Sequence, residues 1–198
     1  MGSPRSSSLL PLLRSRTQGA LLALLFLHPD DEYSLTHAAQ LIGASLKTVH
    51  HEADRLVESG FVQERRHGNL RLIRAATDTV VSRPLTDLLA VTYGPRPVLT
   101  DALRGIPGIE EAIIFGSWAA RYEGWSGPIP ADVDVLVVGD ADPDELDSAA
   151  LAASRRLHRA VNIQRVRPSA WAEDPPTDPF LKSIRESPHL KLSLEAPS

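Results

Sequence analysis

The chain has 198 residues, 42% apolar and 23% charged, which suits an ordinary soluble globular protein of one large or two small domains. It has no cysteine, and that excludes disulfides, cysteine-ligated zinc and thiol catalysis. The net charge of −4 hides an asymmetry: residues 1–83 carry ten Lys and Arg against eight Asp and Glu, whereas residues 84–198 carry eleven against seventeen. Five of the seven histidines also fall in the first part, a mildly basic balance compatible with nucleic acid.

Residues 1–16 open with the polar, Ser-rich run MGSPRSSS and read as a flexible tail. The apolar run ALLALLFL at 20–27 is far shorter than the roughly 20 residues a bilayer span requires. The residues after it, HPDDEYS, offer no small-x-small cleavage site, so the run reads as a buried helix of a cytoplasmic protein without a membrane partner. Thr17 is the expected N-cap of that helix.

The next stretch, SLTHAAQLIGASLKTVHHEADRLVESG, reads as two short helices, capped by Ser34 or Thr36 and by Ser45. Ala39, Gly43 and Val49 fall at helix-turn-helix spacing: a small residue where the helices cross, a glycine for the tight turn and an apolar anchor. Val49, Ala53, Leu56 and Val57 form one apolar stripe on the second helix. Its other side carries Ser45, Lys47, Thr48, His51 and Arg55, donors and cations suited to base edges and phosphates, among which Glu52 and Asp54 are out of place. FVQERRHGNLRLIRA then predicts a hairpin turning at HGN, with Arg65, Arg66, His67 and Arg71 at its tip and edges. These residues resemble the winged helix domains of bacterial transcription regulators. The resemblance implies binding to double-stranded DNA, with phosphate or minor-groove contacts from the wing, and a homodimer, because one winged helix reads only a half-site.

Residues 83–108 read as a helical linker of two amphipathic helices broken at YGPRP. From 109 the pattern becomes strands alternating with helices: EAIIF, then a helix from WAARYEG, DVDVLVVG, the long helix of PDELDSAALAASRRLHRA, and VNIQRV. Two short helices, at 169–173 and 179–186, and a strand in HLKLSL complete the chain, with Trp171 and Phe180 as core anchors and His158 and His189 in solvated or capping roles.

Gly116 and Ser117 stand at a strand-to-helix turn, where a phosphate can approach the backbone and an anion can meet a helix N-terminus. Asp132 and Asp134 are two apart on a strand, so their carboxylates share a face and can grip Mg²⁺ against a triphosphate. This Gly-Ser and Asp-x-Asp pair resembles the nucleotidyltransferase superfamily in its minimal form. The resemblance implies a Mg²⁺ and a nucleoside triphosphate, with Arg121 as the nearest basic helper. It also implies a third carboxylate on the following strand, where this chain has the neutral amides of Asn162 and Gln164, neither of which can act as a base near pH 7. Asp140 and Asp142 are poorly placed substitutes, and the Gly/Pro loop EGWSGPIP can cover the site.

The expected fold class is therefore α+β: an N-terminal winged helix-turn-helix at 17–82, and a small α/β nucleotidyltransferase-like domain with a mixed sheet at 109–198. The expected function is DNA-binding transcription regulation, with a degenerate transferase domain that binds nucleotide and metal or mediates assembly. The alternative is an active Mg²⁺-dependent transferase, of antitoxin type or acting on RNA or a small molecule, that uses the winged helix for substrate binding or autoregulation. A two-domain scaffold is the third possibility.

Overall fold

The computed structural model describes residues 13–125 and 127–195. Most of the tail expected at 1–16 lies outside the described residues. The chain divides into two compact units, Met1–Gly94 and Pro95–Ser198.

In the first unit, α1 (Arg16–Phe26) is apolar around most of its circumference, and Leu21 to Phe26 are all buried. A helix without a polar side must be enclosed, and α2, α3, α4 and β3 all pack on it. Its N-cap is Ser15, two residues ahead of the expected Thr17; the Ser15 hydroxyl accepts the Gln18 N–H at 3.0 Å. A two-residue strand, β1 (Tyr33–Ser34), leads into α2 (Leu35–Ile42), capped by Ser34. Gly43 ends α2 at φ 65°, a left-handed conformation that glycine adopts without steric cost. Ser45 caps α3 (Leu46–Glu58), which buries Val49, Ala53 and Leu56, while Val57 is half-buried.

The hairpin of β2 (Val62–His67) and β3 (Leu70–Ala75) turns through Gly68 and Asn69 and pairs His67 with Leu70. β1 adds to its other edge, giving the antiparallel order β1-β3-β2. The succession α1-β1-α2-α3-β2-β3 is that of a winged helix. The two helices of segment 83–108 go to different units. α4 (Ser82–Tyr93) packs along α1, and Gly19 gives it room: a Cβ there would lie 2.0 Å from the Tyr93 hydroxyl.

The second unit opens with α5 (Pro95–Leu103), followed by β4 (Ile109–Phe115), α6 (Gly116–Tyr122), β5 (Asp132–Gly139), α7 (Pro143–Leu157) and β6 (Ala160–Val166). Then come α8 (Pro168–Ala172), α9 (Pro179–Glu186) and β7 (His189–Lys191), a strand shorter than the expected HLKLSL. The sheet is mixed, in the order β6-β5-β4-β7; β5 and β6 are parallel and the other pairs antiparallel. α7 is the crossover that the parallel pair requires, and it packs on β6 and α5.

Alternation along β4 and β5 sends Ile113, Leu136 and Val138 to one core, closed by Leu181 and Ile184 of α9. Phe115, Trp171 and Phe180 pack against that core, the two phenylalanine rings edge to face at 5.7 Å. Val133, Val135 and Val137 fill the opposite side of β5 and are fully buried.

Candidate nucleic-acid interface and acidic strand site

The N-terminal turn of α3 is exposed from Ser45 to Thr48. Ser45 is committed to its own helix: its Oγ accepts the Thr48 N–H at 3.1 Å and lies 2.7 Å from Thr48 Oγ1. Lys47, His50 and His51 stand exposed on the outer side of the helix. The two acidic residues of α3 part company. Glu52 turns inward, 5% exposed, where it accepts the Ser15 hydroxyl at 3.0 Å and has Arg55 Nη1 at 3.8 Å. Asp54 stays on the outer side.

Asp54 meets the wing. Arg71 places Nη1 2.5 Å from Asp54 Oδ1 and Nη2 2.5 Å from Glu64 Oε2, and its Nε donates to Glu64 at 2.6 Å. Register explains the triad. Arg66 pairs with Arg71 across the hairpin and Glu64 with Ile73, so the repulsion of two opposed arginines is relieved by Glu64 on the diagonal. Arg65 points to the other face of the hairpin and is held by Glu32, with Nε 2.9 Å from both carboxylate oxygens and Nη2 2.5 Å from Oε2. The Arg65 hydrogen bond holds the Glu32 carboxyl below its ordinary pKa, and the Arg71 hydrogen bond does the same for Asp54.

Arg66 and His67 are exposed, and among the described residues neither Arg66 nor Lys47 makes an ion pair. Ser34, Thr36, His50, Asp54, Arg66 and Asn69 line an open groove of about 520 Å³ between α2, α3 and the wing. The roles of Glu32, Glu64 and His50 were not apparent from the sequence. The one available signal was the spacing of Glu64 and Arg66 on a common strand face.

In the second unit, β4 delivers Phe115 opposite Asp134 of β5, so Gly116 emerges beside that aspartate. Gly116 has φ 69°, and a Cβ there would approach Asp134 Oδ2 to 3.4 Å. Glycine thus provides both the turn and the open space beside the carboxylate. Ser117 follows, exposed, in the first turn of the seven-residue α6. Asp132 and Asp134 share a face, and the parallel register puts Asn162 of β6 directly across from Asp134. Asn162 Nδ2 donates to Asp134 Oδ1 at 3.1 Å and to Asp132 Oδ2 at 3.3 Å, so one amide ties both carboxylates.

Gln164 lies two residues on, opposite Leu136. Asp142 caps α7, accepting from the Asp144 and Glu145 N–H groups, and is engaged at the far end of β5 from the acidic pair. Asp140 is exposed at that same end. His158 caps the C-terminus of α7 with φ 52°.

Two arginines hold the loop between α6 and β5. Arg121 Nη1 donates to the Gly127 carbonyl at 2.8 Å, and Arg159 donates to the Pro130 carbonyl while lying 5.4 Å over the Trp118 ring. Arg159 stands two residues beyond the end of α7. Tyr122 is not an acid or base here. Burial pushes its phenol up to about 12, and its hydroxyl accepts the Arg96 N–H at 3.0 Å.

Asp132 and Asp134 are the two carboxylates on this face, and one oxygen of each accepts from the Asn162 amide. Among the described residues no group of three His, Cys, Asp or Glu could hold a metal. No described helix is long and apolar enough to cross a membrane.

No protein-family model matches the sequence, and no curated protein matches it. Two solved structures are similar in part. Reduced HlyU from Vibrio cholerae is 17% identical over 42% of this chain and 82% of its own, with a TM-score of 0.35. The homodimeric winged helix-turn-helix DNA-binding domain of Mb0332 from Mycobacterium bovis, described as a possible ArsR-family regulator, is 23% identical. That likeness covers 46% of this chain and 88% of the other, with a TM-score of 0.30.

Proposed function

We propose that the chain is a DNA-binding transcription regulator whose second unit is a degenerate nucleotidyltransferase-like module that binds a nucleotide without transferring it. The observation that carries the first half is the exposed outer side of α3. It presents Lys47, His50 and His51 beside a wing that presents Arg66 and His67. In a winged helix that side enters the major groove, and the wing follows the adjacent backbone. Two-fold operators would be read by a homodimer, each copy taking one half-site.

The second half rests on the Gly116 turn beside Asp134 and on Asn162 in place of a third acid. Asp132 and Asp134 would hold Mg²⁺, which would supply charge neutralisation to a bound triphosphate. Gly116 and Ser117 leave backbone and hydroxyl groups open for phosphate oxygens, and Arg121 and Arg159 fix the loop beside them. Asn162 cannot take a proton from an acceptor hydroxyl, so binding is retained and general-base catalysis is absent.

Two measurements test this. In fluorescence anisotropy with duplex DNA, Lys47→Ala combined with Arg66→Ala should weaken binding at least tenfold; unchanged binding would sink the assignment of the surface. Incubation with Mg²⁺ and each labelled nucleoside triphosphate should give binding without transfer. Transfer that disappears in Asp132→Ala would instead establish an enzyme.

A further inference from the structure

Building on the DNA-reading function proposed above, we infer that Asp54, Glu64 and Glu32 form an acidic clamp on the wing arginines that sets sequence specificity by suppressing non-specific binding. Arg71 is the centre of this clamp. Its Nη1, Nη2 and Nε all serve carboxylates, at 2.5, 2.5 and 2.6 Å, and its side chain is 21% exposed. A phosphate that takes Arg71 must first break charge-assisted bonds to two separate elements, α3 and β2. Arg65 is held in the same way, by a bidentate contact to Glu32.

The charges around the groove therefore discourage a phosphate backbone that offers nothing else. Asp54 and Glu64 against Arg66 and Arg71 leave the groove between the recognition helix and the wing with no net positive charge to draw a phosphate in. Of the six Lys and Arg side chains on α3 and the hairpin, Lys47, Arg66 and Arg74 make no ion pair among the described residues, and Arg74 is held instead by the Gln63 amide oxygen. Two phosphate contacts would give a salt slope of about −2, shallow for a DNA-binding protein.

A correct sequence compensates by taking up what the clamp releases. Asp54 occupies the outer side of α3, 56% exposed, and a freed carboxylate there is an acceptor for the N4 amino group of cytosine in the major groove. Arg71 then turns to the phosphate that Asp54 no longer shields. The same ion pair thus rejects a bare backbone and exchanges for one base contact plus one phosphate contact.

The test uses the full chain, with anisotropy titrations over a salt series on a random-sequence duplex and on the tightest duplex selected from a random pool. Asp54→Asn with Glu64→Gln should raise affinity for the random duplex about tenfold and steepen the salt slope by about one, the contribution of one released cation. The selected duplex should gain less, so the specificity ratio falls, and preference for cytosine at one position should relax. Adding Arg71→Ala to the double variant should remove the gained slope, a reversal that general loosening of the wing would not produce. DNA binding with an unchanged slope and ratio in the double variant overturns the clamp alone. Failure of the wild type and every variant to bind any duplex overturns the clamp together with the DNA-reading function.

Discussion

In the second unit the Asn162 amide N–H₂ donates to both Asp132 and Asp134, two carboxylates that would otherwise repel each other. Substituting Asn162→Asp replaces the donor with a third negative charge and leaves the pair to be neutralised by a cation. Titration with Mg²⁺ or Mn²⁺ by calorimetry should show affinity at least tenfold above the wild type, and the metal-free variant should be less stable by about 1–3 kcal/mol, because the shared donor is lost. Absence of metal binding in both proteins would show that the acidic pair is not a cation site.

A second residue-scale outcome concerns pH. Glu32 and Asp54 have folded-state pKa values lowered by hydrogen bonds from Arg65 and Arg71. Lowered carboxyl pKa values contribute stability that is present above the unfolded values, about 4, and is lost as pH falls through the still lower folded values. Protection of the β2–β3 hairpin amides, taken relative to their intrinsic exchange rates at each pH, should therefore fall below about pH 4, and Glu32→Gln should show less of that acid sensitivity.

At the scale of elements, α1 and α4 pack together with Gly19 facing the Tyr93 ring. Gly19→Ala would set a methyl 2.0 Å from the Tyr93 hydroxyl and 2.9 Å from Leu13 Cδ1, so both side chains must shift. Such overpacking costs about 1–3 kcal/mol, visible as a lowered denaturation midpoint. Tyr93→Phe in the Gly19→Ala background should recover part of the loss, because it removes the clashing oxygen.

Elements are also where sequence reading did best. β5 was legible to the residue because a run of buried valines and Leu136 is bounded by Asp132 and Gly139. Ser45 and Gly43 announced the ends of α3 and α2 by chemistry that acts over three or four residues. β1 was not legible, since two residues carry no period, and it exists because β3 offers them an edge. The wing triad and the Asn162 bridge needed strand register, a property of pairs of segments far apart in sequence. For that reason the sequence did not show that Arg65 holds Glu32 and Arg71 holds Asp54 and Glu64.

At the scale of the whole molecule, the uneven charge distribution bears on the DNA binding proposed above. Residues 84–198 carry seventeen acidic against eleven basic side chains, and this excess travels with the winged helix wherever the linkage lets it go. A long-range repulsion from phosphate follows, which salt screens once the Debye length falls to about 8 Å near 0.15 M. A fragment ending at residue 94 should therefore bind random duplex more tightly than the full chain at low salt. The gap should close as salt rises; a salt-independent gap would point to a steric cause.

The parallel alignment of β5 and β6 has a consequence in the language of codons. It sets position 162 against Asp134, so the difference between two tied carboxylates and a cluster of three rests on that one residue. Asparagine and aspartate codons differ by a purine transition in the first base. A lineage carrying this chain stands one nucleotide from the acidic cluster, and the step exchanges the shared amide donor for a third negative charge.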